Sequence, residues 1–375
     1  MLIFNKLSGA KKMLEGIRVI ELEGIGPGPF AGMTLADLGA DVVKVHRPSP
    51  TQEGKKEPLS LLDRGKRSVI LNLKDQKDKC TLKSLIKSAD VLIEGHRPGV
   101  MERLGFDEKI IFELNPNIIF GRITGWGQAG PNATQAAHDL NYISKTGSLW
   151  LSSNEGDIPF TPPTIVGDIG GGALYLVIGI LAALFRVKNG AKGTVVDAAI
   201  VDGTAHMMNL LLSLYPDGIQ SIKRGKGLLD GPHWSRCYRC SCGEFISVQC
   251  LEPKFYLIFL NVLGLSDNPE FLDQHDKAQW PMLTIKLKNI FLTQSRTYWG
   301  ELFENSDSCV MPVLSPLEST NDPHMKSRNI WTITDSALQA APAPKFSNWI
   351  NSSYQTIPTK GEHSQEILKE LSDKA

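Results

Sequence analysis

Gly16-Ile-Arg-Val-Ile-Glu-Leu22, Gly24-Ile-Gly-Pro-Gly-Pro29, Phe30 to Leu38 and Asp41-Val-Val-Lys-Val45 follow one another near the start of the chain. Ile17 to Leu22 has the apolar, β-branched character of a strand, and the Gly/Pro run after it is a tight turn. Phe30 to Leu38 then has helical periodicity, and Asp41 to Val45 is a second apolar strand. Strand, crossover helix and strand make a βαβ unit, the basic piece of a parallel sheet. Ser68 to Leu73, Asp90 to Glu94, Asn117 to Thr124 and Gly193 to Ala198 continue the strands, with helical stretches such as Lys79 to Ser88 between them. The alternation predicts an α/β fold: a Rossmann-like, doubly wound parallel sheet with both faces covered.

The chain has 375 residues, more than one ordinary core needs, so a second domain is expected. Ile169 to Phe185 is uncharged, but charge-rich sequence flanks it and it contains glycines, which suits a buried helix better than a membrane span. A helix over Ile200 to Leu214 leads into a Gly-, Lys- and Pro-bearing stretch, Tyr215 to Gly231, that reads as a linker. A hairpin follows, then helical segments at Pro253 to Leu263, Trp280 to Thr293 and Thr297 to Glu304, and an apolar strand at Val310 to Val313. The expected division is a large domain over 14–214, a linker over 215–231, a smaller α+β domain over 232–321, and a segment over 322–375 whose helix, Ser364 to Leu371, returns to the large domain.

Forty Lys and Arg balance forty Asp and Glu, which leaves no global field for nucleic acid or an anionic membrane. Cys237, Cys240, Cys242 and Cys250 cluster, but they lack a second separated Cys-x-x-Cys pair for zinc. Two short strands around a turn are expected there, with Cys240 and Cys242 sharing one face as small apolar fillers, so no metal site is expected. No secretory signal is evident, and reduced thiols in an intracellular compartment are expected. That compartment is cytoplasmic, or mitochondrial if residues 1–12, with three Lys and no acid, act as a leader. The final Ser372-Asp-Lys-Ala375 is not the peroxisomal tripeptide.

The turn after the first strand places its glycines at 24, 26, 28 and 32, which is not the Gly-x-Gly-x-x-Gly of dinucleotide folds. The second strand ends in His46-Arg47, where an NAD site would carry an acid. Arg47 is either a solvated loop residue or a partner for a nucleotide phosphate or adenine. Lys74 follows the third strand and Arg97 the fourth, so three cations gather where doubly wound sheets bind ligands. Lys66 and Arg67, before the third strand, either recur at this end or are ordinary surface charge at the opposite end. A rim of cations on a neutral protein suggests a phosphorylated carrier such as a nucleotide or coenzyme A.

His138 alone would be an ordinary core or surface histidine, and Asp168 alone a helix N-cap. Meeting across one pocket, the two would take a proton from one face of a carbon and return it to the other. A helix start favours the carboxylate form of Asp168 and burial opposes it. Gly170, Gly171 and Gly172 behind it are expected to let a substrate carbonyl approach backbone N–H groups, as an enolate oxygen requires.

The ordered motifs Gly16-Ile-Arg-Val-Ile-Glu-Leu22, Gly26-Pro-Gly-Pro-Phe30, Leu35-Ala-Asp-Leu-Gly-Ala-Asp-Val-Val-Lys-Val45, Arg64-Gly-Lys-Arg-Ser68, Arg97-Pro-Gly-Val-Met-Glu-Arg-Leu-Gly105 and Gly125-Trp-Gly-Gln-Ala-Gly-Pro131 resemble the family III CoA-transferases. Ala137-His-Asp-Leu-Asn-Tyr142, Leu228-Leu-Asp-Gly231 and Leu251-Glu-Pro-Lys-Phe-Tyr256 are similar to the α-methylacyl-CoA racemase branch of that family. The resemblance implies that His138 and Asp168 are the two bases and that Glu252 reaches the His from a partner subunit. It implies that Arg47, Leu71, Asn72, Leu73 and Lys74, with Ala137, Asp139, Leu140, Asn141 and Tyr142, contact the CoA thioester. It also implies two chains interlocked as a homodimer, with the site between the large domain of one and the small domain of the other. No cofactor is implied, CoA being part of the substrate.

Ala137 replaces a usual Gly, Thr164 a common Asn, and Cys240 and Cys242 a Thr and an Asp of the family pattern; the C-terminus also stops early. The leading expectation is a 2-methylacyl-CoA racemase. The alternative is a CoA-transferase with Asp168 as nucleophile forming an aspartyl-CoA thioester, from whose pattern His138 departs. A third reading is an inactive CoA-binding or scaffold protein.

Overall fold

A computed structural model describes residues 12–48, 59–334, 337–347, 349 and 356–373. Apart from Lys12, the candidate leader lies outside these residues. The chain divides into two compact units, one drawn from 1–148, 162–207 and 333–375 and the other from 149–161 and 208–332.

The first unit is built on six strands: β1 (Arg18–Leu22), β2 (Asp41–His46), β3 (Arg67–Ile70), β4 (Val91–Glu94), β5 (Ile119–Thr124) and β6 (Thr194–Ala199). They lie in the order β3-β2-β1-β4-β5-β6, and every neighbouring pair is parallel. The order reverses beside β1, which opens a crevice at the carboxyl ends of β1 and β4. Val19, Val42, Val91, Ile93 and Ile119 face one core, while Ile20, Val43, Val45, Leu92 and Phe120 face the other. Both faces are dry, which is why these strands read as continuous apolar runs.

The helices of this unit are α1 (Pro27–Asp37), α2 (Gln76–Lys87), α3 (Val100–Leu104), α4 (Glu108–Leu114), α5 (Asp139–Lys145), α6 (Leu174–Lys188) and α7 (Ile200–Met207). Helix α1 begins at Pro27, three residues before the expected start, because the first turn of a helix needs no N–H from its prolines. Strand β3 stops at Ile70, before the expected Leu73. Asn72 N–H turns aside there to the Asp78 carboxylate at 2.7 Å, which takes the chain off the ladder.

Several expectations need correction. Asp168 does not open a helix: Ile165–Ala173 forms a π-helical segment that starts three residues earlier, with Thr164 at its N-cap, and runs into α6. The glycines behind it are occupied by packing and not by open space. A Cβ on Gly171 would fall 2.2 Å from Thr204 Oγ1, one on Gly203 would fall 1.9 Å from the Gly171 carbonyl oxygen, and Gly170 lies against Met207. These glycines let α7 lie directly on the π segment.

Lys66 is also no surface charge. It is fully buried, with Nζ 2.5 Å from Glu21 Oε2 and 2.9 Å from the Pro29 carbonyl oxygen, beside a Lys44–Asp63 pair at 2.5 Å. Arg67 is mostly buried and holds Asp41 at 2.7 Å and Glu370 of the C-terminal helix Ser364–Ser372 at 2.5 Å.

Among the described residues, Ile165–Lys188 is one helix long and apolar enough to cross a membrane. Its inward side, Leu176, Val177, Ile180, Ala183 and Leu184, packs into the first core.

In the second unit, α8 (Asn209–Leu212) precedes a loop and then the antiparallel strands β7 (Ser235–Arg239), β8 (Phe245–Gln249) and β9 (Val310–Pro312), ordered β7-β8-β9. Helices α9 (Pro253–Val262), α10 (Trp280–Phe291) and α11 (Arg296–Phe303) bury Trp234, Tyr256, Phe259 and Phe291 with the sheet. The single helix expected over 200–214 is therefore two short ones. The stretch 215–231 has no helix or strand but is tied down, since Asp230 accepts the N–H groups of Gly225 at 2.8 Å and Gly227 at 2.9 Å. Cys240 and Cys242 do not share a strand face. Cys240 is buried at the end of the hairpin's first strand, and Cys242 is exposed in the turn, its sulfur accepting Arg296 N–H at 3.3 Å.

Candidate active site

The first unit carries the expected rim where its strands end. Glu23, just past β1, accepts Arg47 N–H at 3.0 Å and Arg47 Nε at 3.2 Å, and also meets His46 Nδ1 at 3.2 Å and Lys360 Nζ at 3.1 Å. Burial pushes the Glu23 carboxyl up, but these donors outweigh it and hold it down at about 2. The Arg47 side chain remains 72% exposed. Leu71 is buried, Asn72 accepts Lys74 N–H at 3.2 Å, and the Lys74 side chain is exposed just beyond β3. Arg97 is exposed past β4. The sheet order thus places Arg47, Lys74 and Arg97 beyond the carboxyl ends of β2, β3 and β4.

Helix α5 begins at His138, which is exposed at the N-cap, its backbone N–H held by Asn141 Oδ1 at 3.1 Å. Tyr142, one turn on, fixes the preceding residue by donating its hydroxyl to the Ala137 carbonyl oxygen at 2.6 Å. The Tyr142 ring lies where a side chain on Gly125 would be, and meets Trp126 edge to face at 4.9 Å. The Gly125-Trp126 corner after β5 therefore clamps the start of α5. Ala137 is half-buried, while Leu140 and Asn141 are exposed.

Asp168 is half-buried on the π segment. Its carboxylate faces the turn after β1, with Oδ2 3.4 Å from where a Cβ on Gly26 would sit. Its backbone N–H is bound by Asp139 Oδ1 at 2.8 Å. Burial pushes the Asp168 carboxyl up to about 6, the Asp139 charge adds to the rise, and His138 opposes it. The Tyr142 phenol is raised by burial and by Asp168, with Arg97 opposing.

His138, Asp139, Tyr142, Asp168 and Arg97 thus share one electrostatic environment beside a cationic rim, and a carboxyl raised as Asp168 is can exchange a proton near neutrality. Glu252 belongs to the second unit, where it is exposed at the N-cap of α9. Sequence reasoning missed Asp139 as the group that binds Asp168; the available signal was an acid directly after His138 at a helix start. It also missed Gly26, whose positive φ shapes the turn that the Asp168 carboxylate faces.

Comparison with known proteins agrees with this architecture. The sequence model described as CoA-transferase family III matches residues 14–364. The alpha-methylacyl-CoA racemase of Homo sapiens is 37% identical over 362 residues, 96% of this chain and 93% of that protein. The acetyl-CoA:oxalate CoA-transferase of Acetobacter aceti is 29% identical over 341 residues, 85% of each chain. The crystal structure of a CAIB/BAIF family protein from Brucella suis superposes with a TM-score of 0.81 at 25% identity, covering 95% of this chain and 98% of that one. With the strand order, the ordered motifs and these matches in agreement, the chain belongs to CoA-transferase family III.

Proposed function

We propose that the protein is an acyl-CoA racemase that inverts the α-carbon of 2-methylacyl-CoA thioesters by two-base proton transfer. The observation that carries this reading is the half-buried Asp168 carboxyl, tied through its backbone to the α5 turn that begins at His138 and raised by burial to about 6. A group that titrates there can both take and return a proton at working pH. His138 removes the α-proton in one direction while Asp168 supplies one to the other face, and the roles exchange in reverse. The electron pair left on the α-carbon delocalises onto the thioester oxygen as an enolate. Only a proton moves, so the step calls for no redox group or metal, and CoA remains part of the substrate.

Arg47, Lys74 and Arg97 take the phosphates of CoA. Leu71, Asn72 and Leu73, with Ala137, Asp139, Leu140, Asn141 and Tyr142, line the path of the thioester. Glu252 orients His138 of a second copy, which makes the working enzyme a homodimer. Likeness to the racemase at 37% identity supports this reading over transfer chemistry.

The competing reading makes Asp168 a nucleophile that carries CoA as a thioester, and the family's transferases give it weight. Two treatments of one preparation separate them. His138→Ala should suppress inversion by about two orders of magnitude or more, the usual scale for a general acid/base group. Hydroxylamine added during turnover should leave Asp168 unmodified. A hydroxylamine adduct at Asp168, together with an active His138→Ala variant, contradicts the proposal.

A further inference from the structure

Two elements far apart in sequence meet at Asp168 through a bond that neither makes alone. The Asp168 N–H lies in the first turn of the π segment, where a helix leaves donors without internal partners. Its acceptor comes from α5: Asp139 Oδ1 at 2.8 Å, on a side chain only 6% exposed. A buried carboxylate is costly unless its oxygens are bonded, so this contact fixes both ends. The neighbouring Gly167 is shaped for it. A Cβ there would fall 2.4 Å from Asp139 Oδ1 and 2.8 Å from Ile143, so a side chain would push α5 off the π segment. Asp139 directly follows His138 in the first turn of α5, so its bond ties that turn to the Asp168 backbone.

We propose that Asp139 is a positioning residue: its buried carboxylate joins the His138 end of α5 to the Asp168 backbone and fixes the two proton carriers relative to each other. The inference rests on the proton-transfer reading of His138 and Asp168, and it assigns Asp139 a task beyond contact with the thioester. Its negative charge also faces Asp168 and raises that carboxyl, after burial. The other ionisable groups around Asp168 are few. From α5 they are His138 and Tyr142, with Arg97 acting on Tyr142 from beyond β4. From α7 they are Asp202 and His206, both exposed, and His206 Nδ1 is engaged by the Tyr175 hydroxyl of α6 at 2.6 Å. The turn into α1, from Gly24 to Gly32, has none.

Two variants divide the anchor from the charge. Asp139→Asn keeps an acceptor oxygen and removes the charge, whereas Asp139→Ala removes both. The readouts are an NMR titration of the Asp168 carboxyl, which needs no turnover, and the pH profile of α-proton exchange with solvent. In Asp139→Asn, the Asp168 titration and the acid limb of the exchange profile should both move to lower pH, by on the order of one unit. Asp139→Ala should lose kcat by roughly tenfold or more at every pH, with KM changed much less, and Asp139→Asn should restore most of it. Should Asp139→Ala fail to fold, the Asn variant alone decides through the titration. An Asp168 titration unmoved in folded Asp139→Asn, or a loss confined to KM, overturns the role of Asp139. Failure of the wild-type protein to exchange the α-proton would instead overturn the proton-transfer reading beneath it.

Discussion

Asp168 is held in a form that costs stability at the pH where it would work. Its carboxyl, which ionises at 3.8 when free, is raised by burial to about 6 in the fold. Between those values the unfolded chain releases a proton that the native state keeps, so stability falls as pH rises through this window and the deficit is complete above it. Asp168→Asn, which has no charge to desolvate, should therefore raise Tm at pH 7 to 8 and change it little below pH 4. An equal shift at both pH values would mean the burial of Asp168 carries no electrostatic strain. His138 and Asp168 were singled out in the sequence by the motifs around them, since either residue alone reads as ordinary. The bond from the Asp168 backbone to Asp139 was not readable there, since it depends on burial and on a partner 29 residues away. The cationic rim was legible for Arg47, Lys74 and Arg97, whereas Lys66 shows the limit: a lysine beside an arginine reads as surface, yet Glu21 opposite makes it a core pair.

Helix α1 depends on that core pair. Its Gly32 leaves the space in which Glu21 and Lys66 meet, since a Cβ there would come within 1.9 Å of Glu21 Oε2 and 3.0 Å of Lys66 Nζ. Gly32→Ala should displace one partner from the other and lower stability by about 3 kcal/mol, the scale for breaking a buried ion pair. Denaturant unfolding measures it, and an unchanged midpoint would show that the pair shifts without loss. The strands and helices around α1 were readable from their periodicity, with errors only at their ends. Those ends are decided by single bonds, such as Asn72 N–H to Asp78, that periodicity does not carry. The π segment was invisible for a related reason. Its glycines resemble an open anion cradle in sequence, and only their contacts with Thr204 and Met207 show them to be packing positions.

The six-stranded sheet was predictable as a class but not in its order. The alternation of strand and helix gives parallel pairing, while the reversal beside β1 follows from where the crossovers pack. Loop 215–231 read as a linker by composition, yet Asp230 closes it on its own backbone. In the first unit, Leu174, Ile178 and Phe185 of α6 are exposed apolar side chains on a helix whose opposite face fills the core. That surface, with Glu252 assigned to serve His138 of another copy, predicts a homodimer. Sedimentation should give about twice the chain mass of 41.2 kDa, and a fully active monomer would exclude the shared site. The proton-transfer account is tested most directly by incubating one enantiomer of a 2-methylacyl-CoA with the protein in D2O and analysing the recovered thioester by mass and chirality. The account predicts one deuterium at the α-carbon together with loss of configuration. Retained configuration and an unlabelled α-carbon, with CoA passed to an added carboxylate, would contradict it.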